Sequence, residues 1–440
     1  MKKKSLLVSS LGLALTATTV LGSVGAATKT DTIVIRHTQL GEAKQQRLNI
    51  LKDVLARVSK EVPGVKYKLD GVDSDVNRKE KLRSEMVVNK APAIFDLFGG
   101  SDTQLYAEAN RLLDLTPILK ELGLQNKFIS LNEFTVNGKV YGLPIGGYQE
   151  GYFYNKEYFK AKGLKIPKTL AELEKLADTI KKDGKTPFAQ ASKAAWVPLM
   201  TANTLWARYA GPDITNGFTT GKTKWNSAPM VSAFTKYQDW VKKGYFKKGE
   251  LGLDYAEQRN QLIRGEAIMM YDGSWASSVF TDPKQAGSLV NKVGYFAMPS
   301  VAGGKGNQTY VNGGFSNGYG FSAKVKNDKK QLAFVKSFIK NMYNDEMQIR
   351  GLEADGVLPS MKVNSTKLAN ANASALVKEI IEVGNKASGA FPAFDSLVQA
   401  DVNTALSEGI QKLIGGKTTP KAMLDAVQKA QNAANSDDDF

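Results

Sequence analysis

A chain of 440 residues with a single histidine and no cysteine has few routes to familiar catalysis. His37 stands at the end of the strand-like TIVIRHT. A zinc site of the HExxH type needs two histidines, and a Ser-His-Asp triad would have only this one to use. SFIK, Ser337 to Lys340, has the SxxK spacing of penicillin-recognising enzymes, but it lies inside a strongly periodic helical stretch and lacks SDN and KTG companions. LIGGKTT ends like a phosphate-binding loop, yet Gln411 occupies the place of its first glycine, and GGFSNGYG does not fit GxGxxG; both read as turns. Two acids flanking a glycosidic bond need no local motif, so any pair of the 43 Asp and Glu can meet in space, and none is singled out. No catalytic constellation, metal site or cofactor motif emerges.

The elements that would have to position a site are easier to read. TIVIRHT is a strand, and 42–61 a helix with Leu48, Leu51, Leu55 and Val58 on one face. VKYKLDG is a second strand, 72–89 a second helix, and AIFDLFGG a buried strand ending in glycines. This alternation implies a parallel sheet covered by helices, whose ligand crevice lies beyond the C-terminal strand ends. His37, Thr38, Gly99, Gly100, Ser101 and Asp102 then share one rim.

Asn137-Gly138 is a hairpin turn, and Pro144, Gly146 and Gly147 interrupt the pattern before a strand at 151–154, a plausible crossing between domains. A second α/β series follows. Thr169 and Glu172 form the capping box TLAE, and Gly184 ends that helix. A further helix at 227–243 puts Met230, Phe234, Tyr237 and Val241 on one face, with Trp240 beside them as a core residue.

Composition bounds the setting. The chain is 42% hydrophobic and 23% charged, enough for an ordinary core in roughly two or three domains. Residues 1–27 run from three lysines through an apolar stretch to small residues, the layout of a cleavable secretory signal ending at Ala26 or Ala27. An extracytoplasmic protein without disulfides is expected, and without cysteine there is no lipid attachment at the signal. Cleavage removes three lysines and no acid, lowering the net charge from +16 to +13. That charge reads as a lysine-rich solvated surface, or as attraction to an anionic cell wall or an acidic oligosaccharide. Without a recognition motif, nucleic acid is not an expected partner.

Taken in order, GKVYGLPIGG with GYFYNKEYF, GEAIMMYDGSWAS, YFAMPSVAGG, VNGGFSNGYGFSA and GVLPS make the chain resemble the extracellular solute-binding proteins of family 1, the maltose-binding-protein-like receptors of carbohydrate ABC importers. The resemblance covers essentially the whole mature length. It implies a type II periplasmic-binding-protein-like α/β fold: two lobes joined by three crossovers and closing on a ligand. Lobe one is expected at 28–143 plus 299–343, and lobe two at 144–298 plus 344–440.

Site residues follow from the same resemblance. Trp275, after the Gly-Ser turn of MMYDGSW, is expected to offer its indole to a sugar face, with Asp272 accepting from hydroxyls; the competing role for Trp275 is buried packing. His37, Thr38 and the loop from Gly99 to Asp102 correspond to sugar-contacting loops of lobe one. Tyr148 and Gln149 follow the first crossover, and Trp196 and Phe394 fall where aromatic platforms stand in lobe two, each with a core role as its alternative. One departure is Ser23, where Gram-positive relatives carry a lipobox cysteine.

The function implied is non-enzymatic: a monomeric receptor that takes an oligosaccharide and hands it to the permease subunits of an ABC transporter. The alternatives are a secreted glycosidase, or a receptor for a polyamine or iron; one histidine and no cysteine make iron the poorer fit.

Overall fold

A computed structural model describes residues 32–41 and 44–436. The expected signal segment, 1–27, lies outside the described residues. None of the described helices is long and apolar enough to cross a membrane.

Two sheets organise the molecule. In the first, Thr32–His37 lies between Lys66–Gly71 and Ile94–Phe98, all three parallel. Asn317–Phe321 then adds antiparallel to Ile94–Phe98, and Gly142–Pro144 closes the sheet. The helix Gln45–Glu61 covers one face, burying Ile50, Leu51, Val54, Leu55 and Val58 at the spacing its sequence shows. The second sheet is centred on Tyr148–Asn155, which pairs antiparallel with Ala267–Gly273, Val293–Phe296 and Val311–Gly314; Thr186–Ala189 and Ala390–Phe391 flank it. Its core holds Trp206, Trp225 and Trp240, all fully buried.

GGFSNGYG is not a turn. Gly313 and Gly314 pair with Gln149 and Tyr148 of the second sheet, whereas Asn317 and Gly318 pair with Phe98 and Leu97 of the first, so the chain changes sheets across Phe315 and Ser316. Two segments therefore lie on the opposite side from the one expected. Strand Val311–Gly314 belongs to the second sheet, because its neighbour Ala390–Phe391 and the Arg208–Gln308 contact hold it there. Helix Asp345–Asp355 packs on the first sheet's helix Gln45–Glu61, through Arg47–Asp355, Arg57–Glu346, Arg350–Asp53 and the buried Met347.

The helix expected at 72–89 is broken. Asp73 caps Ser74–Val76 by accepting from the Asp75 and Val76 amides, and a wide turn at Asn77–Lys81 precedes Leu82–Val87. Wide turns of this kind re-aim side chains and concentrate at functional sites. Here the turn carries Asn77 and Arg78 toward the C-terminal end of Ile94–Phe98: the Asn77 amide donates to the Asp96 carbonyl, and the Arg78 guanidinium lies over the Phe98 ring.

Candidate functional site

The loop after Ile94–Phe98 meets residues 395–398, which follow the second sheet's strand Ala390–Phe391. Gly100, with φ of 75°, has no room for a side chain: a Cβ there would overlap the Ser396 carbonyl oxygen. Ser101 Oγ donates to the Val398 carbonyl at 2.9 Å. Arg78 donates from Nε to Asp102 at 2.6 Å and from Nη1 to Asp395 at 2.7 Å, with Nη2 on the Asp395 carbonyl. Burial opposes its charge, but the Asp102 and Asp395 carboxylates outweigh that and hold its pKa above the ordinary value.

Around this contact lie polar groups that burial deprives of water. Thr38 donates to Asp96 Oδ2 at 2.9 Å, and Lys44 Nζ donates to the Thr38 carbonyl. Burial pushes Asp96 up to about 6, against the Thr38 hydroxyl and the charges of Lys44, Arg47 and Arg78. Burial also lowers the Lys44 pKa, and Arg47 beside it adds to the effect. Glu150 is 3% exposed; burial, then the neighbouring Asp395 and Asp272 charges, push its carboxyl well above the usual range. Gln39 Oε1, Asn77 Oδ1, Glu133 Oε2 and Glu150 Oε2 are buried and find no hydrogen-bond partner among the described residues. Leaving such atoms unpaired costs about 1–3 kcal/mol each, so these oxygens are ready acceptors for a polar guest.

The aromatic part comes from the second sheet. Trp275 lies in the single turn Ser274–Ala276 that follows Ala267–Gly273, half-buried, with its ring folded over Gly273. Tyr148 stands 5.9 Å away, ring to ring, at 54°. On the other side Tyr255 receives the indole N–H at 2.7 Å and meets Trp196 edge-on at 4.5 Å. Among the described residues no cluster of His, Asp and Glu is arranged to hold a metal ion.

Several expected contacts are placed differently. Phe394 is a core residue, 3% exposed and edge-on to Trp206, because its backbone amide is drawn inward onto Asn203 Oδ1. Gln149 points to the opposite face of its strand from Tyr148, as strand alternation requires, and donates to the Ile380 carbonyl and Tyr295. Asp272 is fully buried and already satisfied: Oδ1 accepts from Tyr255 and from the Gly273 amide, and Arg259 Nε stands 3.5 Å from Oδ2. Gln258 Nε2 also reaches Oδ2, at 3.4 Å, so both oxygens are engaged by internal partners. His37 is buried, its Nδ1 accepting from the Gln39 amide, and desolvation lowers its pKa. The loop from Gly99 to Asp102 spends its polar groups on Ser316, Glu133, Val398 and Arg78. Tyr148, Trp196 and Trp275 keep partly exposed aromatic surface.

Arg78, Glu133, Tyr255 and Arg259 carry no sequence signal, since each sits in an ordinary polar stretch. Asp96 left a signal: a lone acid inside the apolar run AIFDLF.

Residues 43–349 match the family of bacterial extracellular solute-binding proteins, and the chain belongs to that family. It is 41% identical to a solved chitin oligosaccharide binding protein, with a TM-score of 0.88 over 92% of this chain and 99% of that one. It is 25% identical to the diacetylchitobiose binding protein of Streptomyces coelicolor, over 74% of this chain and 73% of the relative. An ABC transporter extracellular-binding protein of Pyrococcus horikoshii is 28% identical; the aligned stretch spans 57% of each chain, a little over half the relative's length. The fold is the type II periplasmic binding-protein architecture of two α/β units.

Proposed function

We propose that this protein is the extracytoplasmic receptor of an ABC importer. It binds an oligosaccharide between its two sheets, with a chitin oligosaccharide as the first candidate, and presents it to the permease subunits without chemical change. The observation that carries this reading is a half-buried tryptophan, Trp275, packed against Tyr148, with Glu133 and Glu150, whose Oε2 atoms are buried without partners, close to that tyrosine. Aromatic faces stack on sugar rings while the polar atoms take hydroxyls or amides. The likeness to the chitin oligosaccharide binding protein over nearly its full length supports the choice of ligand.

One lobe is then the unit of the first sheet and the other that of the second, with connections at 145–147, 315–316 and 356–375. The positive charge that pointed toward acidic sugars sits on exposed lysines. Among the described residues between the sheets the acids Asp96, Asp102, Glu133, Glu150, Asp272 and Asp395 outnumber the cations beside them, Lys44, Arg47, Arg78 and Arg259, which favours a neutral ligand over an acidic one. A secreted monomer released by signal cleavage near Ala27 completes the reading.

The test is calorimetric titration of the secreted protein with chitin oligosaccharides, maltodextrins and uronate-containing oligosaccharides, with product analysis of each mixture. Saturable 1:1 binding of the neutral chitin oligosaccharide and unchanged sugar are expected. Turnover at catalytic protein levels, or no binding across the panel, overturns the receptor reading.

A further inference from the structure

Trp275 has one polar atom, and its partner is unusually constrained. The indole Nε1 donates to Tyr255 Oη at 2.7 Å. The Tyr255 hydroxyl has one proton, which goes to Asp272 Oδ1 at 2.6 Å, so the direction of both bonds is fixed. Asp272 cannot drift: it is fully buried at the end of Ala267–Gly273, its Oδ1 also accepts the Gly273 amide at 2.8 Å, and Arg259 pairs with its other oxygen. The Tyr255 ring is held on two further sides, by the Arg259 guanidinium 4.0 Å over its face and by Trp196 edge-on. Trp275 itself lacks this support from the backbone, because it lies in a three-residue turn after the strand.

Resting on the receptor reading above, we propose that Tyr255 is the positioning residue of the sugar platform. Its hydroxyl transmits the fixed location of Asp272 to the Trp275 indole, sets the plane on which a sugar ring stacks, and couples that plane to Trp196. A platform so held loses little side-chain freedom when ligand arrives, which raises affinity without adding a contact. Removing the hydroxyl leaves the ring contacts of Tyr255 in place and frees the indole, while Asp272 loses one donor and keeps the Gly273 amide and Arg259.

A double-substitution cycle with an indole N–H readout tests this. Tyr255→Phe, Trp275→Phe and the double variant are titrated with a chitin oligosaccharide, and the indole N–H resonances are recorded by NMR without ligand. Tyr255→Phe is expected to weaken binding about five- to twentyfold in the native background and less than about twofold once Trp275 is Phe, which has no N–H to hold. The Trp275 N–H resonance, identified by its loss in Trp275→Phe, is expected to move upfield and exchange faster in Tyr255→Phe, with the resonances of the buried Trp206, Trp225 and Trp240 unchanged. Equal losses in both backgrounds, or an unmoved Trp275 resonance, overturn the relay. Should the native protein bind no sugar, the receptor reading falls, and the resonance alone decides whether Tyr255 holds the indole.

Discussion

Arg78 and Asp395 join the two halves of the molecule: Nη1 donates to the carboxylate at 2.7 Å and Nη2 to the backbone carbonyl of the same residue, while Nε holds Asp102 on its own side. Both side chains of the pair are more than four-fifths shielded, so solvent screens the bond less than it would a surface pair. Breaking it should favour the open arrangement. Asp395→Ala is expected to enlarge the ligand-free radius of gyration in small-angle scattering and to weaken sugar binding by about 1–2 kcal/mol, the usual size of a coupling between two states. An unchanged radius with unchanged affinity would show that the pair does not govern closure.

Gly100 should be more sensitive still. Alanine there would meet the Ser396 carbonyl and would also have to adopt φ of 75°. Gly100→Ala is expected to hold the sheets apart and reduce affinity at least about tenfold, since closure and binding are linked. Serine at position 101 supplies the control: Ser101→Ala removes only the bond to Val398 and should cost far less. Titration of both variants, with melting curves to confirm folding, decides the order.

Two tryptophans should separate binding from stability. Trp240 is fully buried, packed at a tilt against Phe188 and bonded to Glu174, so Trp240→Ala is expected to lose about 3–5 kcal/mol of stability. Trp275→Ala is expected to weaken sugar binding by about 1–3 kcal/mol with a much smaller effect on unfolding. Denaturant curves and titrations run side by side check both. Normal binding by folded Trp275→Ala would remove it from the site.

Glu250 gives the fold a pH signature away from the cleft. It is 4% exposed, with one oxygen bonded by Ser192 Oγ, and burial pushes it up to about 7. Between about 4.5 and 7 the folded state holds a proton that the unfolded state has released, so this contribution is complete below about 4.5 and is lost as pH rises through 7. Glu250→Gln keeps an acceptor for Ser192 and removes the charge. It should flatten that part of the stability profile and raise stability at pH 8 by about 1–3 kcal/mol. Chemical denaturation at pH 5 and pH 8 provides the measurement, and an unaltered difference between the two would contradict it.

Periodicity and punctuation in the sequence were enough to define the parallel strands, the helix Gln45–Glu61 and the Asn137-Gly138 hairpin, because these depend on local backbone preference and on which face is apolar. The apolar stripe of its helix likewise disclosed the buried role of Trp240, whereas Trp275 became a site candidate only through the family resemblance. Long-range pairing decided the rest. Which sheet Val311–Gly314 joins depends on Tyr148 and Ala390, far off in the chain, and the break at Asn77–Lys81 serves Asp96 and Asp102 across the fold. Asp272 looked free for a ligand because its competitors, Tyr255 and Arg259, reach it only once a helix packs on the strand. Phe394 and Trp275 are both aromatic residues beside small neighbours in the sequence; packing against Trp206 buries one, while the other stays half-buried with its indole N–H on Tyr255.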